Sequence, residues 1–167
     1  MIDTKLPIIL APQPGPQQEV LRRTEFEMLY GGARGGGKTD AGMAWMTRPM
    51  EHPRYRGLVI RKNADDLVDW IDRAKSMYRP VGAQFAGKPV GIRFPKGATI
   101  RTGHLKDEDA YTKYQGHEYQ RILIEELTQI PDEKRYLQLI SSCRSTIDGL
   151  DARVFATANP GGVGHVW

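Results

Sequence analysis

The chain has 167 residues, 40% hydrophobic and 26% charged, which is enough apolar material for one domain with a real core and too much for a disordered polyelectrolyte. Its net charge of +4 permits an anionic partner such as nucleic acid without requiring one, because the basic residues are scattered. No apolar run approaches the length of a membrane span, and the single Cys143 excludes an internal disulfide and any all-cysteine metal site.

Residues 1–16 carry Pro7, Pro12, Pro14 and Pro16 and read as an extended arm ahead of a domain over 17–167. The apolar patch from Leu6 to Ala11 is interrupted by proline and has no basic lead, so it does not read as a signal peptide. Gln17 to Arg23 suits a short helix. Either glutamine amide, Gln17 or Gln18, could donate to and accept from an adenine edge, or both could be plain exposed polar groups.

Phe26 to Tyr30 reads as a strand, and Gly32 to Thr39 then matches G-x-x-x-x-G-K-[ST], the phosphate-binding loop. The pattern has a physical reason. Small residues at Gly32, Ala33, Gly35, Gly36 and Gly37 let backbone N–H groups turn inward as a nest for phosphate oxygens. Lys38 can then reach the β- and γ-phosphates, and the Thr39 hydroxyl can ligate Mg²⁺. A helix starting at Lys38 and ending before Pro49 aims its N-terminal dipole at the same anion. Arg34, inside the loop, could stabilise charge on a transferring phosphoryl group, contact a neighbouring subunit or simply be solvated.

Gly57 to Arg61 is a short apolar run of the kind found in buried parallel strands. A helix should open at Asn63 or Ala64, bury Leu67, Trp70, Ile71 and Ala74, and stop at Pro80 and Gly82. Val90–Phe94 and Ala98–Thr102 alternate as strands around a Pro95-Lys96-Gly97 turn, which predicts an inserted hairpin. Arg121 to Glu126 reads as a buried strand, Asp132 caps a helix to about Ser142, and Arg153–Thr157 is a last strand. Strands alternating with helices predict an α/β fold: a mostly parallel sheet flanked by helices, with its ligand at the carboxyl ends of the strands. Trp45 and Trp70 belong to the core, Asp107-Glu108-Asp109 to a solvated turn or cap. Cys143 is expected as a buried, reduced thiol of the kind that suits a cytosolic setting. His104, His117 and His165 lack metal-ligand spacing.

Two further motifs carry chemistry. Ile122-Leu123-Ile124-Glu125-Glu126 is an apolar strand ending in paired acids, a Walker B pattern. Glu125 stands where Asp is more usual, as the carboxylate for Mg²⁺. Glu126 is placed to polarise the attacking water, which marks an NTPase with its own general base rather than a kinase or a simple GTP switch. Thr157-Ala158-Asn159 closes the last strand. In NTPases with a catalytic glutamate, a strand entering between the phosphate-loop strand and the Walker B strand often ends in such a polar residue. Asn159 could then sense the γ-phosphate, or it could be an ordinary Asn-Pro-Gly turn. The fold expected is therefore a P-loop NTPase of the additional-strand, catalytic-glutamate type.

Taken together, PQPGPQQEVL, LYGGARGGGKT, YQGHEYQRILIEELTQIP and ATANPGGVGHVW resemble the large terminase subunit of tailed bacteriophages, over nearly the whole chain and in the family's order. The resemblance implies adenine recognition by the Gln17–Gln18 segment. It implies phosphate binding by Lys38 and Thr39 with the loop arginine Arg34, a Walker B pair at Glu125 and Glu126, and a coupling motif at Thr157, Ala158 and Asn159. It further implies an ATP- and Mg-dependent motor that packages double-stranded DNA. Such a motor works as a ring on the portal protein with the small terminase subunit, in the host cell cytoplasm and away from membranes. Two departures accompany it. Family members commonly carry a ribonuclease-H-like nuclease domain, so a chain stopping seven residues after Pro160 is expected to be a truncated form. Many also have an arginine shortly before the Walker B strand that acts on a neighbour. Tyr114-Gln115-Gly116 occupies that region here, with Arg101 and Arg121 as possible substitutes. Two rival readings are a helicase, which would need a second RecA-like domain and motifs after residue 160, and a nucleotide-binding module without turnover.

Overall fold

A computed structural model describes residues 10–33 and 37–160. The helices are α1 (Pro16–Arg22), α2 (Lys38–Thr47), α3 (Leu67–Tyr78) and α4 (Glu133–Ile140). The strands are β1 (Glu27–Tyr30), β2 (Arg56–Arg61), β3 (Gln84–Ala86), β4 (Gly91–Arg93), β5 (Thr99–His104), β6 (Arg121–Ile124) and β7 (Arg153–Thr157). They form one sheet in the order β1-β7-β6-β2-β5-β4-β3. From β1 to β5 every pairing is parallel, and β4 and β3 add antiparallel pairings at the far edge.

Burial on both faces explains the near-continuous apolar strands. Side chains along a strand alternate between faces, so successive residues feed two different cores. Val59, Leu123 and Phe155 point to one face and join Met43, Trp45 and Met46 of α2 and Trp70 of α3. Leu58, Ile60, Ile122, Ile124, Val154 and Ala156 feed the other face, with Ile130 and, from α4, Leu139. Two tyrosine hydroxyls fix α2 from below: Tyr55 donates to the Met46 carbonyl at 2.6 Å and Tyr78 to that of Met43 at 2.7 Å. Cys143 is a buried free thiol.

Several boundaries differ from the sequence reading. The residues from Ala64 to Asp66 form a turn and α3 starts only at Leu67, whose amide reaches back to Ala64 O at 3.1 Å. Asp132 does cap α4, its side chain accepting from Arg135 N at 2.9 Å, but the helix ends at Ile140. The strands around Pro95-Lys96-Gly97 pair antiparallel, yet they are no separate insertion. β5 runs parallel to β2 from Arg56↔Thr99 to Arg61↔His104, so the pair extends the main sheet. β3 has no counterpart in the sequence reading, because three residues at a sheet edge carry no periodic signal. β7 lies between β1 and β6, which sets the end of the last strand between the phosphate loop and the paired acids.

Candidate functional site

The carboxyl ends of β1, β7 and β6 open on one cavity of about 380 Å³. Its walls include Gln13, Gln17, Gly37, Lys38, Thr39, Glu125, Glu126, Thr157 and Asn159. Distant stretches of chain thus meet at the strand ends, where ligands of open parallel sheets lie.

On the loop side, Gly37 leads into α2 with φ 67°, a left-handed conformation that a side chain would strain. A Cβ there would also fall 2.2 Å from Gln17 Nε2. Gln17 itself is 5% exposed; its amide donates to Gly37 O at 3.0 Å and its Oε1 accepts from Gln13 N at 2.8 Å. The buried glutamine therefore ties residues of the proline-rich stretch to the loop. Gln18 is half-buried and does not line the cavity. Lys38 is 9% exposed, and its ammonium donates to the carbonyls of Gly32 (2.8 Å) and Ala33 (2.6 Å). A buried cation held by loop carbonyls can exchange them for phosphate oxygens. Arg34, Gly35 and Gly36 lie outside the described residues.

On the acid side, β6 ends at Ile124, and Glu125 is 3% exposed. Its Oε2 accepts from Thr157 Oγ1 at 3.2 Å and Thr39 Oγ1 at 3.5 Å. Its Oε1 is buried and has no hydrogen-bond partner among the described residues. Burial raises the Glu125 carboxyl above the ordinary range, partly offset by the Arg61 charge and the Thr157 hydrogen bond. An orphaned carboxylate oxygen beside a threonine hydroxyl fits a hard, oxygen-liganded divalent cation. Gly42 leaves room for that oxygen: a Cβ there would stand 3.2 Å from it.

Glu126 is held differently. It is the one non-glycine with positive φ among the described residues, at φ 56° and ψ 56°. A left-handed residue of this kind costs about 1–2 kcal/mol, and such outliers gather at functional sites. Its amide donates to Thr157 Oγ1 at 3.1 Å. Its Oε1 receives Asn159 Nδ2 and Arg61 Nη2, both at 3.3 Å, and its Oε2 receives Gln129 Nε2.

The structure thus gathers Gln17, Gly37, Lys38, Thr39, Glu125, Glu126 and Asn159, and leaves out Gln18. It also supplies residues that sequence reasoning missed. Arg61 meets Glu126 from the end of β2. Arg73 of α3 pairs with Asp40 of α2 through two bonds of 2.6 Å at the cavity wall. The only available signal for Arg61 was its place at a strand's carboxyl end. Neither substitute arginine lies on the cavity. Arg101 stacks on Tyr114 and donates to Tyr119 Oη at 3.3 Å. Arg121 is 6% exposed at the opposite end of β6, 4.5 Å from the Trp45 ring, where burial closes it to any neighbouring chain.

With this arrangement in place, a family model described as "Terminase large subunit, T4likevirus-type, N-terminal" matches residues 29–166. The chain belongs to that family. No curated protein matches it in sequence. Among solved structures, the large terminase from a thermophilic bacteriophage superposes with a TM-score of 0.68 at 20% identity, over 86% of this chain and 38% of that one. The large terminase ATPase domain of Thermus phage P74-26 gives 0.65 at 13% identity, over 92% and 67%. The N-terminal domain of the bacteriophage phi29 DNA packaging ATPase gives 0.61 at 13%, over 88% and 78%. At such identities these likenesses speak for the fold alone, a seven-stranded, mostly parallel α/β sheet shared with terminase ATPase domains. The chain spans about two-fifths of the thermophilic-phage terminase, 38%. That terminase is also known in complex with ADP and with ATP-gamma-S.

Proposed function

We propose that this terminase domain is an ATP-hydrolysing motor that drives viral DNA into a procapsid. One observation carries the reading: Lys38, Thr39, Glu125, Glu126 and Asn159 converge on a single cavity. In it, the loop backbone from Gly32 to Gly37, Arg34 included, cradles the phosphates, and Lys38 leaves the Gly32 and Ala33 carbonyls for them. Gln17, on the cavity wall, is the better placed of the two glutamines for an adenine edge. Thr39 and Glu125 would hold Mg²⁺, which when bound supplies charge neutralisation at the β- and γ-phosphates.

Glu126 acts as general base. It takes a proton from water as the water oxygen bonds to the γ-phosphorus; the γ-phosphorus bond to the bridging oxygen breaks, and ADP leaves with that electron pair. Asn159 touches Glu126 and lines the cavity, which suits it to report phosphate loss through β7. The position of β7 between β1 and β6 supports the additional-strand, catalytic-glutamate class. Double-stranded DNA, the portal protein, the small terminase subunit and further copies in a ring are the partners this role requires, in the host cytoplasm.

The test is ATP hydrolysis by the purified chain against Glu126→Gln. The amide keeps the shape and cannot act as base, so binding should persist while turnover falls about a hundredfold or more. Hydrolysis by Glu126→Gln at the parent rate would remove the base assignment. The isolated chain should turn over slowly, and faster at concentrations where copies associate, because a neighbour's arginine supplies charge in ring motors.

A further inference from the structure

The carboxylate of Glu126 is fully engaged. A general base needs a free lone pair facing the water it activates, yet Oε1 takes two donors and Oε2 a third. Of those donors Asn159 lines the cavity, whereas Arg61 and Gln129 lie outside its wall. Arg61 is the strong one, since it brings a full positive charge to an ion pair with only 17% and 26% of the two side chains exposed. A carboxylate neutralised in this way is a poorer proton acceptor, and its orientation is set by the arginine rather than by the phosphate.

Arg61 is itself held. Its Nη1 donates to the Asp66 carbonyl at 3.2 Å, at the foot of α3, and Asn63 Nδ2 secures the Asp66 side chain at 3.0 Å. Its buried Nε has no partner among the described residues. The same helix reaches the site a second time through Arg73 and Asp40 on α2. One guanidinium therefore joins the base to α3, and α3 joins the helix that carries the phosphate loop.

We infer that Arg61 is a positioning residue that latches Glu126 in an idle state in the nucleotide-free chain, with Gln129 as the weaker second holder. Turnover then requires the Arg61–Glu126 pair to open, and a shift of α3 on filling of the phosphate site is the motion that opens it. The inference rests on the proposed hydrolytic role of Glu126 and adds a brake to it.

The test is steady-state ATP hydrolysis by the full chain with Arg61→Gln, Arg61→Lys and Gln129→Ala, with kcat and KM resolved. Removing a charge-assisted hydrogen bond from the base should raise kcat of Arg61→Gln by roughly tenfold with KM unchanged. Arg61→Lys, which restores the charge, should return to the parent rate. Gln129 is exposed, so Gln129→Ala threatens the fold least and should raise kcat by a smaller factor. If Arg61→Gln and Gln129→Ala both hydrolyse at or below the parent rate, the latch is wrong. If Glu126→Gln still hydrolyses at the parent rate, the base assignment fails instead, so the two failures are distinguishable.

Discussion

The two ends of β6 bury opposite charges. At the amino end, Arg121 is packed at 6% exposure under the Trp45 ring, with Nε and Nη1 lacking partners among the described residues. At the carboxyl end, Glu125 is still more buried, but hydroxyls of Thr39 and Thr157 aim at one of its oxygens and the other stands open beside the cavity. Burial works against charge at both ends, lowering the Arg121 pKa and raising that of Glu125. The consequences diverge. An arginine begins so far above neutrality that it stays charged, and its ring partner makes the position structural. A carboxylate begins near enough to neutrality for its surroundings to matter, and an open oxygen facing a cavity is a place for a ligand.

The comparison is broken most directly at the acid end, across the cavity from Glu125. Lys38→Ala should weaken triphosphate binding by about a hundredfold, since it removes the one described cation facing the loop and a charge-assisted contact to phosphate. Unchanged affinity in a calorimetric titration would end the phosphate-loop assignment.

Glu125→Gln should separate binding from stability. Burial raises the Glu125 pKa in the fold above its unfolded value, so the fold favours the protonated form. Its stabilising share is full below the unfolded pKa and is lost as pH rises through the folded one. The variant should therefore lose Mg²⁺-dependent ATP binding and yet, in the nucleotide-free state at neutral pH, resist urea better than the parent. The difference should shrink in acid. A lower urea midpoint at neutral pH would show that the negative charge stabilises the empty site.

The smallest effect belongs to the basic end. Arg121→Met exchanges two unpartnered buried donors for an apolar chain of similar reach. It should leave nucleotide affinity unchanged and stabilise the chain by about 1 kcal/mol, read from a denaturant curve. A loss of ATP affinity would make both ends of β6 functional and erase the contrast.

The sequence by itself determined what is local. The glycines, Lys38 and Thr39 are consecutive, the run Ile122–Ile124 followed by two acids needs no neighbour to be read, and short apolar runs located β2, β6 and β7. These features follow from backbone periodicity and the space a phosphate requires. Tertiary structure decided what depends on distant segments meeting. The order β1-β7-β6-β2 sets Arg61 against Glu126, α3 delivers Arg73 to Asp40, and Gln17 reaches Gly37 rather than open solvent. It also settled that Arg121 is a core residue, which its spacing before the acids could not reveal. Parallel neighbours are far apart in sequence, so which side chains share a strand end is fixed by crossovers and helix packing, and no local pattern records it.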